Sequence, residues 1–179
     1  MGPGTEWYDA VVELIDMRSF SNLWYWIALA VQWSWASHFV IGIPFDMVVR
    51  ARRRGGQAES DLEDMVRVSV NRILIVESMA GVWLLGFASF LLTTLGLLGF
   101  FYGAEFAQAL FLLAAPMTVV GILTLSGAKR IAREQPKGTA LQQRIATTRF
   151  WIQLTGMISI FVTAMWGMYY NVTQSLLYG

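Results

Sequence analysis

Apolar residues fill most of this chain in four long stretches that are separated by short polar segments. The stretches cover residues 23–49, 73–101, 106–128 and 150–170. Each is at least as long as the ~20 residues that an α-helix needs to cross a hydrocarbon core of ~30 Å. We therefore predict an all-α polytopic membrane protein in which residues 21–179 form a bundle of four transmembrane helices.

Local signals refine this prediction at several helix ends. The first stretch, residues 23–49, is longer than a crossing requires, and Pro44 near its end predicts a kink. Pro116 predicts a second kink, inside the third span. Ser60–Glu63 is spaced as a capping box and predicts the start of the helix that enters the second span. Residues 129–138 predict a basic loop between the third and fourth spans.

Residues 1–20 carry a helical pattern of apolar and acidic positions instead of a continuous apolar run. At 100° per residue, one face holds Trp7, Val11, Leu14 and Ile15. The opposite face holds Glu6, Asp9, Glu13 and Asp16. This pattern predicts an amphipathic helix on the outer membrane surface. Packing of the same helix on the protein's own spans is the alternative.

The basic residues lie almost entirely on one predicted side of the membrane. Every Lys and Arg except Arg18 lies within residues 50–72 or 129–149, in or beside the two loops that follow the first and third spans. The positive-inside rule places these loops in the cytoplasm, so both termini are predicted to be periplasmic. The predicted outer side is acidic, which favours a basic periplasmic partner.

Composition agrees with a membrane protein and excludes several kinds of site. Hydrophobic residues make up 56% of the chain and charged residues 14%, against ~25% charged residues in soluble domains. The chain has no cysteine, which excludes disulfides, thiolate metal sites and cysteine nucleophiles. It has no dinucleotide-binding, Walker, zinc-protease or serine-hydrolase motif. We therefore expect neither an enzyme nor a cofactor, and we interpret the basic run beside the first span as a topology signal, not a nucleic-acid site.

Polar side chains inside the predicted spans are the candidates for function, because an ionised group at the bilayer centre costs ~2.5–3.5 kcal/mol. They are Gln32, His38, Asp46, Glu77 and Gln108. One interpretation is structural, with His38 hydrogen-bonded at a helix interface and Glu77 in an ion pair at headgroup level. The other is that His38, Asp46 and Glu77 line a proton or cation path.

Tryptophans are concentrated in the first span. Trp24 and Trp26 lie at its outer end, where an aromatic belt is expected, but Trp33 and Trp35 lie deeper than a belt requires. Deep tryptophans indicate packing on protein, which is either another subunit or the chain's own helices. The candidates for a partner surface are therefore Trp7, Glu6, Asp9, Glu13, Asp16, Trp24, Trp26, Trp33 and Trp35.

Two segments resemble a known family. They are DMRSFSNLWYWIALA at Asp16–Ala30 and GIPFDMVVRARRRGGQAESDLEDM at Gly42–Met65. Both are similar to segments of small bacterial four-span proteins that are often labelled as a component of the SufBCD iron–sulfur assembly complex, and the resemblance extends from Trp7 into the third span. It implies a bacterial inner-membrane location and, at most, recruitment of cytoplasmic partners to the membrane. It supplies no catalytic motif.

These observations favour a non-catalytic accessory or assembly subunit of a larger inner-membrane complex, of which an energy-transducing complex is one version. Its expected partners are other integral membrane subunits and the lipid bilayer. The alternative is a homo-oligomeric channel or transporter that uses His38, Asp46 and Glu77, and the kinks predicted at Pro44 and Pro116 motivate it.

Overall fold

The computed structural model describes residues 23–178, with side chains described as far as residue 173. The predicted amphipathic helix, with Trp7, Glu6, Asp9, Glu13 and Asp16, lies outside the described residues. The elements in chain order are α1 (Leu23–His38), β1 (Phe39–Val40), β2 (Ile43–Pro44), α2 (Phe45–Arg54), α3 (Gln57–Gly96), α4 (Glu105–Glu134) and α5 (Gly138–Tyr178). A π-helical turn, Leu97–Phe101, extends α3 at its end.

Three of these helical segments are long and apolar enough to cross a membrane. They are Gln57–Phe101, Glu105–Glu134 and Gly138–Thr173. A helix rises 1.5 Å per residue, so the shortest of them, α4, is about 45 Å long and exceeds the ~30 Å core. The prediction of a helical fold is therefore confirmed, and the three long apolar helices are consistent with a membrane protein.

The first predicted span is not one helix, which corrects the expectation of a helix kinked at Pro44. Helix α1 ends at His38, and residues 39–44 form a tight antiparallel hairpin in which Phe39 pairs with Pro44 and Val40 with Ile43. Ile41 and Gly42, at its tip, both have positive φ, 56° and 74°. Positive φ at both central residues is the geometry of a two-residue hairpin turn. Pro44 does not kink a helix; it precedes the first residue of α2.

Ile41 is β-branched, and a β-branched residue is strained at positive φ. Packing around the hairpin must therefore hold Ile41 in this conformation. Val40, Ile41 and Ile43 are all at most 1% exposed. The end of the Ile41 side chain lies against Gly127 of α4, where an added Cβ would be 3.2 Å from Ile41 Cδ1. The glycine of α4 therefore makes room for the strained residue of the hairpin.

The main core lies where α2 and the hairpin meet the long helices. Its buried residues include Val48 and Ala51 of α2, Leu62, Val66 and Val70 of α3, Ile131 of α4, and Leu141, Ile145 and Ile152 of α5. The buried residues of α3 all lie in its first half. From residue 71 onward, α3 has no buried residue and is only partly covered by the rest of the described chain.

Two predicted helix boundaries are wrong. Helix α3 begins at Gln57, three residues before Ser60, and no side chain caps its first turn, so Ser60–Glu63 does not act as a capping box. Gly55 and Gly56, with φ of 60° and 52°, separate α2 from α3. Helix α4 continues to Glu134, so the predicted loop over residues 129–138 is reduced to residues 135–137.

Candidate functional site

Glu77 is paired with a lysine from the neighbouring helix. Lys129 Nζ of α4 donates to Glu77 Oε1 of α3 at 2.9 Å, and the two side chains are 40% and 35% exposed. This is the only ion pair between α3 and α4 among the described residues. The salt-bridge interpretation of Glu77 is the one observed, with Lys129 as the partner.

The depth of this pair follows from helix lengths. Glu77 precedes Phe101, and Lys129 follows Glu105, by the same number of residues. At 1.5 Å per residue, both charges lie about 36 Å from the turn that joins α3 to α4. This distance exceeds the ~30 Å hydrocarbon core, so a membrane with one boundary at that turn would have the pair at its other boundary and not at its centre.

His38 and Asp46 line a cleft of about 520 Å³ at the junction of α1, α2 and α5. Asp46 accepts from Arg50 Nη2, one helical turn away, at 3.2 Å. The His38 ring contacts Phe39 edge to face, with 4.9 Å between the ring centroids. Glu77 does not line this cleft. The three groups of the relay hypothesis are thus divided between two places, and the described contacts give that hypothesis no geometric support.

Gln108 ties three elements together near the turn between α3 and α4. Its Nε2 donates to the Gly99 carbonyl at 2.8 Å, and its Oε1 accepts from Trp166 Nε1 of α5 at 3.0 Å. The side chain is buried, at 5% exposure. An added Cβ on Gly99 would lie 2.8 Å from the Gln108 backbone nitrogen, so the π-helical turn approaches α4 as closely as only glycine permits. Gln108 has a structural role.

Gln32 has a similar role beside the proline of α4. Its Nε2 donates to the Leu113 carbonyl at 3.2 Å. Leu113 is the residue after Leu112, whose carbonyl is the one that Pro116 leaves without an N–H donor. The Gln32 amide therefore ties α1 to α4 in the turn that precedes the proline.

The four tryptophans of α1 have different environments. Trp33 is buried, and an added Cβ on Gly156 of α5 would lie 2.8 Å from its Cε3. This corrects its assignment to a partner surface, since the chain's own helices cover it. Trp24 contacts Phe106 and Tyr25, and Trp26 contacts Tyr25, all through their rings. Trp35 is 68% exposed and remains a candidate for a partner or lipid contact.

Three residues with central positions were not among the sequence candidates: Lys129, Trp166 and Arg149. Arg149 Nε donates to the Ser37 carbonyl at 3.3 Å, and its guanidinium carbon lies 3.8 Å from the centre of the Phe45 ring. The available signal was that each is a polar or aromatic residue near the end of an apolar stretch. That signal does not identify the helix on which a partner lies.

In residues 23–173 no group of three or more His, Asp or Glu side chains is placed to hold a metal ion. Comparisons with family models, with curated proteins and with solved structures gave no match. The contacts of the chain therefore carry the functional argument.

Proposed function

We propose that the chain is a non-catalytic accessory or assembly subunit of a larger bacterial inner-membrane complex, with four spans and both termini in the periplasm. The observation that carries the proposal is the uncovered face of α3. We infer the location in the bacterial inner membrane from the family resemblance, and the orientation of the chain from the distribution of Lys and Arg.

The contacts of α1 support a fourth crossing. Trp24 contacts Phe106 at one end of α4, and Ser37 accepts from Arg149 near the opposite end of the bundle. The 16 residues of α1 rise about 24 Å, and the two extended residues of β1 add about 7 Å. Their sum of about 31 Å matches the ~30 Å core. In the hairpin, Val40, Ile41 and Ile43 are buried in protein, which is how non-helical backbone at membrane depth is tolerated.

The uncovered face of α3 has the form of a helix-docking surface. Met79, Trp83, Gly86 and Phe90 are spaced by four, three and four residues, so they form one stripe along the helix. Met79, Trp83 and Phe90 are all strongly exposed, and nothing lies within 4 Å of a Cβ added to Gly86. Large side chains around a small residue allow a second helix to approach closely, which favours helix association in membranes.

The exposed aromatic residues of α1 extend the candidate interface. Trp35 and Phe39 contact each other, with 5.9 Å between their ring centroids, and both point away from the core. Lipid alone would gain little from tryptophan over leucine at such a position, whereas partner surfaces are enriched in tryptophan.

Photo-crosslinking in native membranes tests the proposal. A photoreactive phenylalanine analogue is placed at Phe90, on the stripe, or at Phe161 of α5 as the control. These residues are 69% and 67% exposed, so the two probes lie on different helices but are equally accessible. We expect irradiation at Phe90 to give a discrete crosslink to another membrane protein, and irradiation at Phe161 to give lipid adducts.

Mass spectrometry of the crosslinked band and of the intact assembly, purified in mild detergent, identifies the partner. If the Phe90 probe reacts with lipid alone, α3 is a lipid-facing helix. If it reacts only with a second copy of this chain, the protein is a homo-oligomer, as the channel alternative requires. Either result overturns the proposal.

A further inference from the structure

The cleft at the junction of α1, α2 and α5 is strongly basic. Its lining includes four arginines, Arg50, Arg53, Arg54 and Arg149, and a single carboxylate, Asp46. The ion pairs among residues 23–173 occupy Arg50, Arg67, Lys129 and Arg144. Within that part of the chain, Arg53, Arg54 and Arg149 therefore have no acidic partner, and the cleft carries an excess of three positive charges.

One of these guanidinium groups is held in place before any ligand binds. Arg149 is fixed by its hydrogen bond from Nε to Ser37 and by its position over the Phe45 ring. The hydrogen bonds of the described residues do not use its Nη1 and Nη2 groups. An arginine fixed in this way loses little conformational freedom when it binds a phosphate with its two remaining nitrogens.

The arginines of α2 complete a concave surface. Asp46, Arg50 and Arg53 follow one another at intervals of four and three residues, so they lie on the face of α2 that meets the cleft. Arg52, one residue from Arg53, is equally charged but does not line the cleft. The chain thus contains a matched control for the site.

An apolar surface adjoins the basic cleft. His38 lines the cleft and contacts Phe39. Phe39 in turn contacts the exposed ring of Trp35, which lies four residues earlier, in α1. Cationic groups beside exposed apolar rings match a molecule with an anionic head and apolar tails. Free phosphate would use the arginines alone, so the combination favours a lipid.

We infer that this cleft binds the headgroup of an anionic phospholipid, with the phosphate on Arg53, Arg54 and Arg149 and an acyl chain along Trp35 and Phe39. Basic pockets of this kind at the cytoplasmic ends of spans suit anionic headgroups. The inference requires the cleft to lie at a membrane boundary, but it does not require the partner subunit. The crosslinking experiment at Phe90 and the lipid experiment below can therefore fail independently.

Native mass spectrometry of the purified full chain tests the site. The protein is mixed with phosphatidylglycerol or with zwitterionic phosphatidylcholine, and bound lipids are counted during titration. We expect one phosphatidylglycerol to bind more tightly than the rest, and phosphatidylcholine to show no such step. Arg53→Gln should weaken that step roughly tenfold, the size expected for loss of a charge-assisted contact. Arg52→Gln should change it less than about twofold, because Arg52 does not line the cleft and an exposed charge outside the site contributes little.

Arg149→Gln provides a second variant and should weaken the same step, with circular dichroism confirming that the helical content is retained. If Arg149→Gln unfolds, comparing Arg53→Gln with Arg52→Gln still tests the site, because both of these arginines are exposed. Equal binding of the two lipids, or equal losses in the Arg52 and Arg53 variants, would show nonspecific attraction and overturn the site. Displacement of the lipid by millimolar inorganic phosphate would show a free-anion site and would also overturn it.

Discussion

Replacing Gly156 by alanine tests whether α1 packs on α5 as tightly as the structure shows. The new Cβ would lie 2.8 Å from Cε3, 3.1 Å from Cζ3 and 3.2 Å from Cδ2 of Trp33. Non-bonded carbon atoms prefer separations of about 3.5–4.0 Å. Trp33 is only 6% exposed, so its ring cannot move aside without displacing α1 or other core residues.

The expected loss of stability combines two opposing contributions. Adding a methyl group to a filled core costs about 1–3 kcal/mol. Because the clash involves a rigid ring, we place Gly156→Ala in the upper half of that range. Alanine in place of glycine inside a helix returns about 1 kcal/mol. The free energy of unfolding should therefore fall by about 1–2 kcal/mol, which corresponds to a decrease in Tm of roughly 2–8 °C for a chain of this size.

Thermal unfolding in mild detergent, followed by circular dichroism, measures this effect. Gly121→Ala on α4 is the matched control, because nothing lies within 4 Å of its added Cβ, and its Tm should stay unchanged or rise. In a Trp33→Phe background, which removes the second ring, the penalty of Gly156→Ala should largely disappear. Equal Tm values for Gly156→Ala and Gly121→Ala would refute the close packing of α1 on α5.

Two further predictions concern the polar contacts. Trp166→Phe leaves the buried Gln108 Oε1 without its donor and should lower the free energy of unfolding by about 1–2 kcal/mol. Trp151→Phe, on the exposed surface of α5, is the control and should leave the free energy of unfolding unchanged. Equal effects of the two substitutions in thermal unfolding would argue against the hydrogen bond. Glu77→Lys or Lys129→Glu alone should lower the Tm through like-charge repulsion, and the double exchange should restore it. Failure of the exchange to restore stability would mean that the two side chains do not pair in the bilayer.

The long helices could be predicted from the sequence because their apolar stretches exceed what a membrane crossing needs. The break after His38 could not, since residues 39–44 are as apolar as their neighbours. Proline and glycine predicted a kink there, and only the packing of Ile41 against Gly127 explains why the chain makes a hairpin instead. Hydrophobic pattern alone does not distinguish a bent helix from a buried turn.

The candidate polar residues were identified by type and depth, but their roles depended on partners distant in sequence. Gln108 and Gln32 were candidates because amides are rare in spans, and the structure shows both to be structural ties. Glu77 pairs with Lys129, which the sequence placed in a loop. The basic cleft could not be predicted, because it forms only where α2 contacts Arg149 of α5, and no local sequence pattern encodes that contact.

Cysteine accessibility tests the central claim, that α1 crosses the membrane as a fourth span. The natural chain has no cysteine, so Ser21→Cys and Ser60→Cys each give a single labelling site on either side of α1 and the hairpin. A membrane-impermeant maleimide should label Ser21→Cys in spheroplasts, and Ser60→Cys only in inverted membrane vesicles. Labelling of both variants from the same side would show that α1 does not cross, and would contradict the four-span account.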